Sequence, residues 1–102
     1  MADIELVKKS PTEYFSQEMD FTGRLLSSDK ITSCTITAKN INNLQDMTNS
    51  VLGNTVGVIN QTGKRVSYLL RNGILGEEYE IKFVCLTNLG YRIEDKFTLL
   101  IR

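Results

Sequence analysis

From Tyr79 to Cys85 the side chains alternate strictly: Tyr79, Ile81, Phe83 and Cys85 are apolar, while Glu80 and Lys82 between them are charged and only Val84 departs from the pattern. A repeat of two puts the first set on one face of a strand; a helix, with about 3.6 residues per turn, would scatter it. Asn88-Leu89-Gly90 then predicts a short connection in which Gly90 accepts a positive φ, and Ile93–Ile101 resumes the alternation through Phe97 and Leu99. The C-terminal quarter is expected to be a β-hairpin. The Thr-rich segment Lys30–Ala38 is a poor helix and a good strand, because β-branching restricts the side chain near Cβ, and it sets Cys34, Ile36 and Ala38 on one face.

Two further strands, Val56–Ile59 and Val66–Leu70, flank a turn at Gln61-Thr62-Gly63-Lys64. Ile4–Val7 and Tyr14–Phe21 supply two more, broken apart at Ser10-Pro11 by the chain's one proline. Ile41–Leu52 is polar and Asn-rich; it reads as a long loop or irregular edge strand, although Leu44, Met47, Val51 and Leu52 also have the spacing of a short amphipathic helix. Seven short strands at even spacing predict an all-β antiparallel sandwich, and 102 residues are enough for one domain, 1–102, with no second core. A chain of this length buries enough surface to fold without metal or disulfide staples.

The residue inventory narrows the chemistry. There is no histidine, so Ser-His-Asp and Cys-His catalysis and the common zinc sites lack their imidazole. Two cysteines without a Cys-x-x-Cys spacing do not make a thiolate zinc site. Asp20, Asp29, Asp46 and Asp95 lie apart in polar sequence, without the ladder of a calcium loop, and read as solvated surface acids. Gly57–Lys64 resembles a phosphate loop only superficially, having five residues between its glycines and Arg65 where a hydroxyl residue would hold magnesium; it reads as a turn. No enzyme, cofactor or metal site is expected.

Lys plus Arg and Asp plus Glu balance at 12 each and are scattered, which gives no electrostatic basis for binding nucleic acid or an acidic membrane. Zero net charge leaves association with copies or partners unopposed. No apolar run approaches a membrane-spanning helix, and Met1–Pro11 lacks the apolar stretch of a signal peptide, so a soluble protein made in the cytoplasm is expected. Asn60-Gln61-Thr62 matches a glycosylation triplet, which in that setting is a chance match.

In an immunoglobulin-like reading of these strands, Cys34 and Cys85 point inward on strands that pack across the core, where the inter-sheet disulfide lies, and in a reducing compartment they are read as two core thiols. Gly76-Glu77-Glu78-Tyr79 predicts a tyrosine corner, with Tyr79 structural. The chain has no Trp, so a true antibody-type domain is not expected.

Two blocks carry a resemblance. Tyr14-Phe15, Met19-Asp20-Phe21-Thr22, Leu25 and Asp29-Lys30-Ile31-Thr32-Ser33 form the first; Gly76–Ile81, Thr87–Arg92 and Phe97–Ile101 form the second. Together they cover about half the chain, in an order and spacing that resembles the small immunoglobulin-like or fibronectin-III-like structural proteins of tailed bacteriophages and prophages, of the tail, baseplate or fibre-adaptor type. Phe21 stands where those proteins commonly carry Trp and can fill the same buried site. The resemblance implies a virion protein, synthesised in the host cytoplasm, that binds other virion proteins, often as symmetric copies and hence as a homo-oligomer. Candidate contacts are Leu44 and Met47 in the Asn40–Asn54 segment, Ile4 on the first strand, and the aromatics Tyr68 and Tyr91. The alternative is a carbohydrate-binding or adhesion sandwich, in which Tyr68 and Tyr91 would be exposed among polar neighbours.

Overall fold

The computed structural model describes residues 6–102. Seven strands form: β1 Leu6–Lys9, β2 Phe15–Asp20, β3 Ile31–Asn40, β4 Val58–Ile59, β5 Arg65–Leu70, β6 Glu78–Thr87 and β7 Arg92–Ile101. They make a four-stranded sheet in the order β1-β7-β6-β3 and a three-stranded sheet in the order β2-β5-β4. Every pairing is antiparallel except β1 with β7, which is parallel. This is the all-β, seven-stranded immunoglobulin-like sandwich expected from the alternation.

The alternation decides what is buried. Tyr79, Ile81, Phe83 and Cys85 of β6 face inward, flanked in register by Cys34, Ile36 and Ala38 of β3 and by Phe97 and Leu99 of β7. Met19, Val66, Tyr68 and Leu70 of the second sheet close over them. At the centre Phe83 meets Phe21 edge-on at 6.2 Å, Tyr68 edge-on at 5.0 Å and Phe97 at 6.0 Å between ring centroids. Offset and edge contacts of this kind stabilise beyond the area they bury, because each ring's positive edge meets another's negative face. Phe21 is fully buried, and the Tyr79 hydroxyl accepts the Ile74 N–H at 3.1 Å, pinning the turn that leads into β6.

The Asn-rich segment is a loop built from side chains that imitate backbone. Asn40 Oδ1 accepts the amides of Asn42 and Asn43, Asn43 Oδ1 that of Gln45, and Asp46 Oδ1 that of Thr48. These Asx turns, in which a short side chain takes a hydrogen bond two residues on, explain why a polar run holds a fixed path. The run leads into a one-turn helix, α1 Thr48–Val51, and Val51 and Leu52 enter the core.

The path lies along the outer edge of β3. Met47 N–H donates to Ala38 O, Ile36 N–H to Thr55 O, and Gly57 N–H to Cys34 O. Val56 bridges Thr35 of the first sheet while Val58 pairs with Ser67 of the second, so the chain changes sheets at Gly57. A Cβ there would lie 2.2 Å from Val66 Cγ1, so the crossing passes too close to the core for any side chain.

Two expectations are corrected. Cys34 and Cys85 do not face each other across the sandwich; they are directly opposed neighbours within one sheet. The strand that would hold the inter-sheet partner is the second of the fold, β2, whose fully buried residue is Met19; Cys34 belongs to the third. Asp29 and Asp95 are not solvated surface acids: Asp29 is buried and Asp95 is half-buried on the inward register of β7.

Candidate functional site

Three connections meet at one end of the sandwich: Phe21–Lys30 between β2 and β3, Asn60–Lys64 between β4 and β5, and Asn88–Tyr91 between β6 and β7. Their backbones are tied together, with Phe21 N–H donating to Lys64 O, Ile31 N–H to Gly63 O and Asn88 N–H to Lys30 O. Asn60, of the glycosylation-like triplet, is a turn residue whose Oδ1 accepts the amides of Lys64 and Arg65. Gly90 has a φ of 89°, the left-handed geometry that closes the last connection.

Asp29 organises this end. Its Oδ1 accepts the amide of Lys30 at 2.8 Å and, from across the end of the sandwich, that of Leu89 at 3.1 Å. The Lys64 ammonium donates to the carbonyl oxygens of Leu26, Ser27 and Asp29. Asp29 Oδ2 is buried and has no hydrogen-bond partner, although the Thr87 hydroxyl lies close enough to favour the carboxylate's charge. Burial pushes the Asp29 carboxyl up, but the Thr87 hydroxyl, the Lys30 and Leu89 amides and the Lys64 charge outweigh it and hold the group below its ordinary range. Beside it, Arg24 Nη1 approaches the inward-facing Asp95 Oδ2 at 3.6 Å and donates to Glu94 O at 3.2 Å.

Loops fixed in this way hold apolar side chains out in solvent. Leu26 is 59% exposed, Leu89 49% and Tyr91 55%, and Leu26 and Tyr91 line one shallow hollow with Leu25 and Ile93. Apolar groups on ordered loops form a contact surface that loses little entropy on binding, since the backbone is already held. Among the described residues no group of three or more metal-ligating side chains converges.

Several acids behave like Asp29. Asp20 is held below its ordinary range by the Thr22 hydroxyl and amide, Asp46 in the same way by Thr48, and Glu94 by Lys82 and Arg92. A carboxylate with a lowered folded pKa contributes stability that is complete above the unfolded value and is lost as pH falls through the folded one. The melting temperature is therefore expected to be flat above about pH 5 and to fall steadily below about pH 4. Thermal unfolding followed by circular dichroism across that range checks this; an unchanged midpoint at about pH 3 would show that these hydrogen bonds contribute nothing.

The candidate contact residues divide. Tyr91 is exposed at this end, and Leu44 is exposed at the tip of the Asn-rich loop. Met47 is half-buried and packs against the core. Tyr68 is corrected: at 1% exposure it is a core residue, on the same register as Val66 and Leu70, and its hydroxyl meets Gln17 Oε1 at 3.1 Å. Burial pushes its phenol pKa up. It can neither touch a partner nor stack on a sugar. Ile4 lies outside the described residues. The sequence reading missed Leu26 and Leu89, although each is a lone apolar residue in a polar connection, a position with nothing of its own to pack against.

No family model matches the chain, and no curated protein matches its sequence. Among solved structures it is similar to that of murine CRIg, with 11% identity over 96% of this chain and 92% of the other and a TM-score of 0.54. At that identity the likeness establishes the immunoglobulin-like fold alone.

Proposed function

We propose that this domain is a non-enzymatic protein-interaction module that serves as a structural or adaptor component of a tailed-phage or prophage particle. The observation that carries the interaction reading is the apolar surface of Leu26, Leu89 and Tyr91 on loops pinned by Asp29. Its mechanism is complementary packing: a partner covers these side chains and displaces water from them, with Tyr91 as the large amphipathic anchor. The virion setting rests on the resemblance of the two sequence blocks to phage tail, baseplate and fibre-adaptor proteins, and other virion proteins are the partners that resemblance implies. The sugar-binding alternative keeps only Tyr91 of its two named tyrosines, since Tyr68 lies in the core.

A tagged pull-down from source cells in which any resident prophage has been induced tests both parts, with bound proteins identified by mass spectrometry. Recovery of capsid, portal, tail or baseplate subunits by the wild type, and at least tenfold less by Leu89→Asp with Tyr91→Asp, is the expected result. Equal recovery by the doubly substituted chain would move the contact away from this end. If no virion subunit came down while particles were assembling, the phage role would be abandoned.

A further inference from the structure

The chain's two cysteines stand directly opposite each other on β3 and β6, fully buried, with their sulfurs 3.0 Å apart and unbonded. Because Cys34 O accepts the Gly57 N–H on the outer side of β3, the polar groups of Cys34 point away from β6. The two therefore form a non-hydrogen-bonded antiparallel pair, the kind whose Cα atoms stand roughly 4.5 Å apart with side chains close together. That spacing falls within the roughly 4.4–6.8 Å a disulfide spans, and reaching a bond of about 2.05 Å needs only about 1 Å of sulfur movement. Gly57 lies against the Cys34 side chain, and the Arg24–Asp95 pair stands near enough to Cys85 to act on its charge.

We propose that Cys34 and Cys85 form a peroxide-oxidisable dithiol, which hydrogen peroxide converts into a disulfide within the sheet that staples β3 to β6. The Cys34 sulfur attacks one peroxide oxygen, the O–O bond breaks, and the departing hydroxide leaves as water with the thiol proton, giving a sulfenic acid. The Cys85 sulfur then attacks the Cys34 sulfur, the S–O bond breaks, and a second water leaves with the Cys85 proton. Two thiols have lost two electrons and two protons to one peroxide. Cys34 reacts first because it lies on the edge strand β3, beneath only the Thr55–Gly57 crossing, whereas Cys85 lies on β6 between two strands. The contact between the two sulfurs also favours the charged form of Cys34.

Access follows from what covers the pair. Over Cys34 lies the Thr55–Gly57 crossing, held to β3 by the Ile36 N–H to Thr55 O and Gly57 N–H to Cys34 O bonds. Parting those bonds admits a molecule as small as peroxide and excludes one as large as a peptide disulfide. Oxidation by peroxide is thus expected to run at least tenfold faster than by oxidised glutathione.

The experiment takes the full chain, reduced and then freed of reductant, and exposes it to millimolar hydrogen peroxide. The expected product is a monomer lighter by two hydrogens, with both thiols lost together on denatured titration, a Cys34–Cys85 link in the peptide map, and full reversal by dithiothreitol. The cross-link closes a separation of 51 residues and is expected to raise the melting temperature by about 8 °C or more. Added oxygen without a cross-link, covalent dimers, both thiols still titratable after overnight exposure, or oxidation by glutathione disulfide as fast as by peroxide would each overturn the proposal. Cys85→Ser is expected to abolish the mass loss, but the wild-type mass and peptide map decide the matter even if that variant does not fold.

Discussion

Phe83→Ala is expected to cost about 3–5 kcal/mol, the range found when a fully buried aromatic ring is removed and its cavity only partly collapses. The collapse is hindered here by position. Phe83 sits on β6, which is hydrogen-bonded on both sides, and its ring is packed against Phe21, Tyr68 and Phe97, so all three neighbours lose a contact at once. A domain of this size has roughly 5–15 kcal/mol in total, so the variant would be marginally folded at best. Urea unfolding gives the number directly, provided the slope is unchanged. A loss below about 1 kcal/mol would mean that the aromatic cluster is not the centre of the core. Phe83→Leu, which keeps most of the volume, should recover at least half of the loss.

The second large effect comes from adding atoms. Gly57→Ala places a methyl group 2.2 Å from Val66 Cγ1 and 3.4 Å from Cys34 Cβ and Ile36 Cδ1. Val66 is β-branched and fully buried, so its methyl cannot swing aside without leaving its preferred rotamer or pushing the crossing away from β3. Overpacking of this kind costs about 1–3 kcal/mol. The cause is separable by a double-mutant cycle: in a Val66→Ala background the contacting Cγ1 is gone, and Gly57→Ala should cost at least ~1 kcal/mol less. If the two substitutions are additive, the loss arises from the backbone and the steric account is wrong.

What was legible in the sequence was whatever depends on a short stretch of chain. The β6–β7 hairpin declares itself in two periods of alternation and one glycine, and Lys30–Ala38 declares itself through β-branching. Tyr68 was legible too, since Val66, Tyr68 and Leu70 alternate, but its hydroxyl invited a surface role that the Gln17 side chain makes unnecessary. The pairing of Cys34 with Cys85 was not legible in that way. Facing inward is a property of each strand, whereas sharing a sheet is a property of the strand order, which no local pattern records. Asp29 was misread for a similar reason: in Ser27-Ser28-Asp29-Lys30 nothing signals burial, and the groups that bury it arrive from Lys64, Thr87 and Leu89, far along the chain.

The cover over β3 also bears on how copies of this chain behave when crowded. A ten-residue strand with an open margin offers a template on which another molecule can build, and growth by that route has no natural end. Here the carbonyl groups of Cys34 and Ala38 and the amides of Ile36 and Asn40 are already occupied by the chain's own loop. Along this margin a second copy therefore finds no free row of backbone groups to pair with, and fibre growth by strand addition is blocked at this edge.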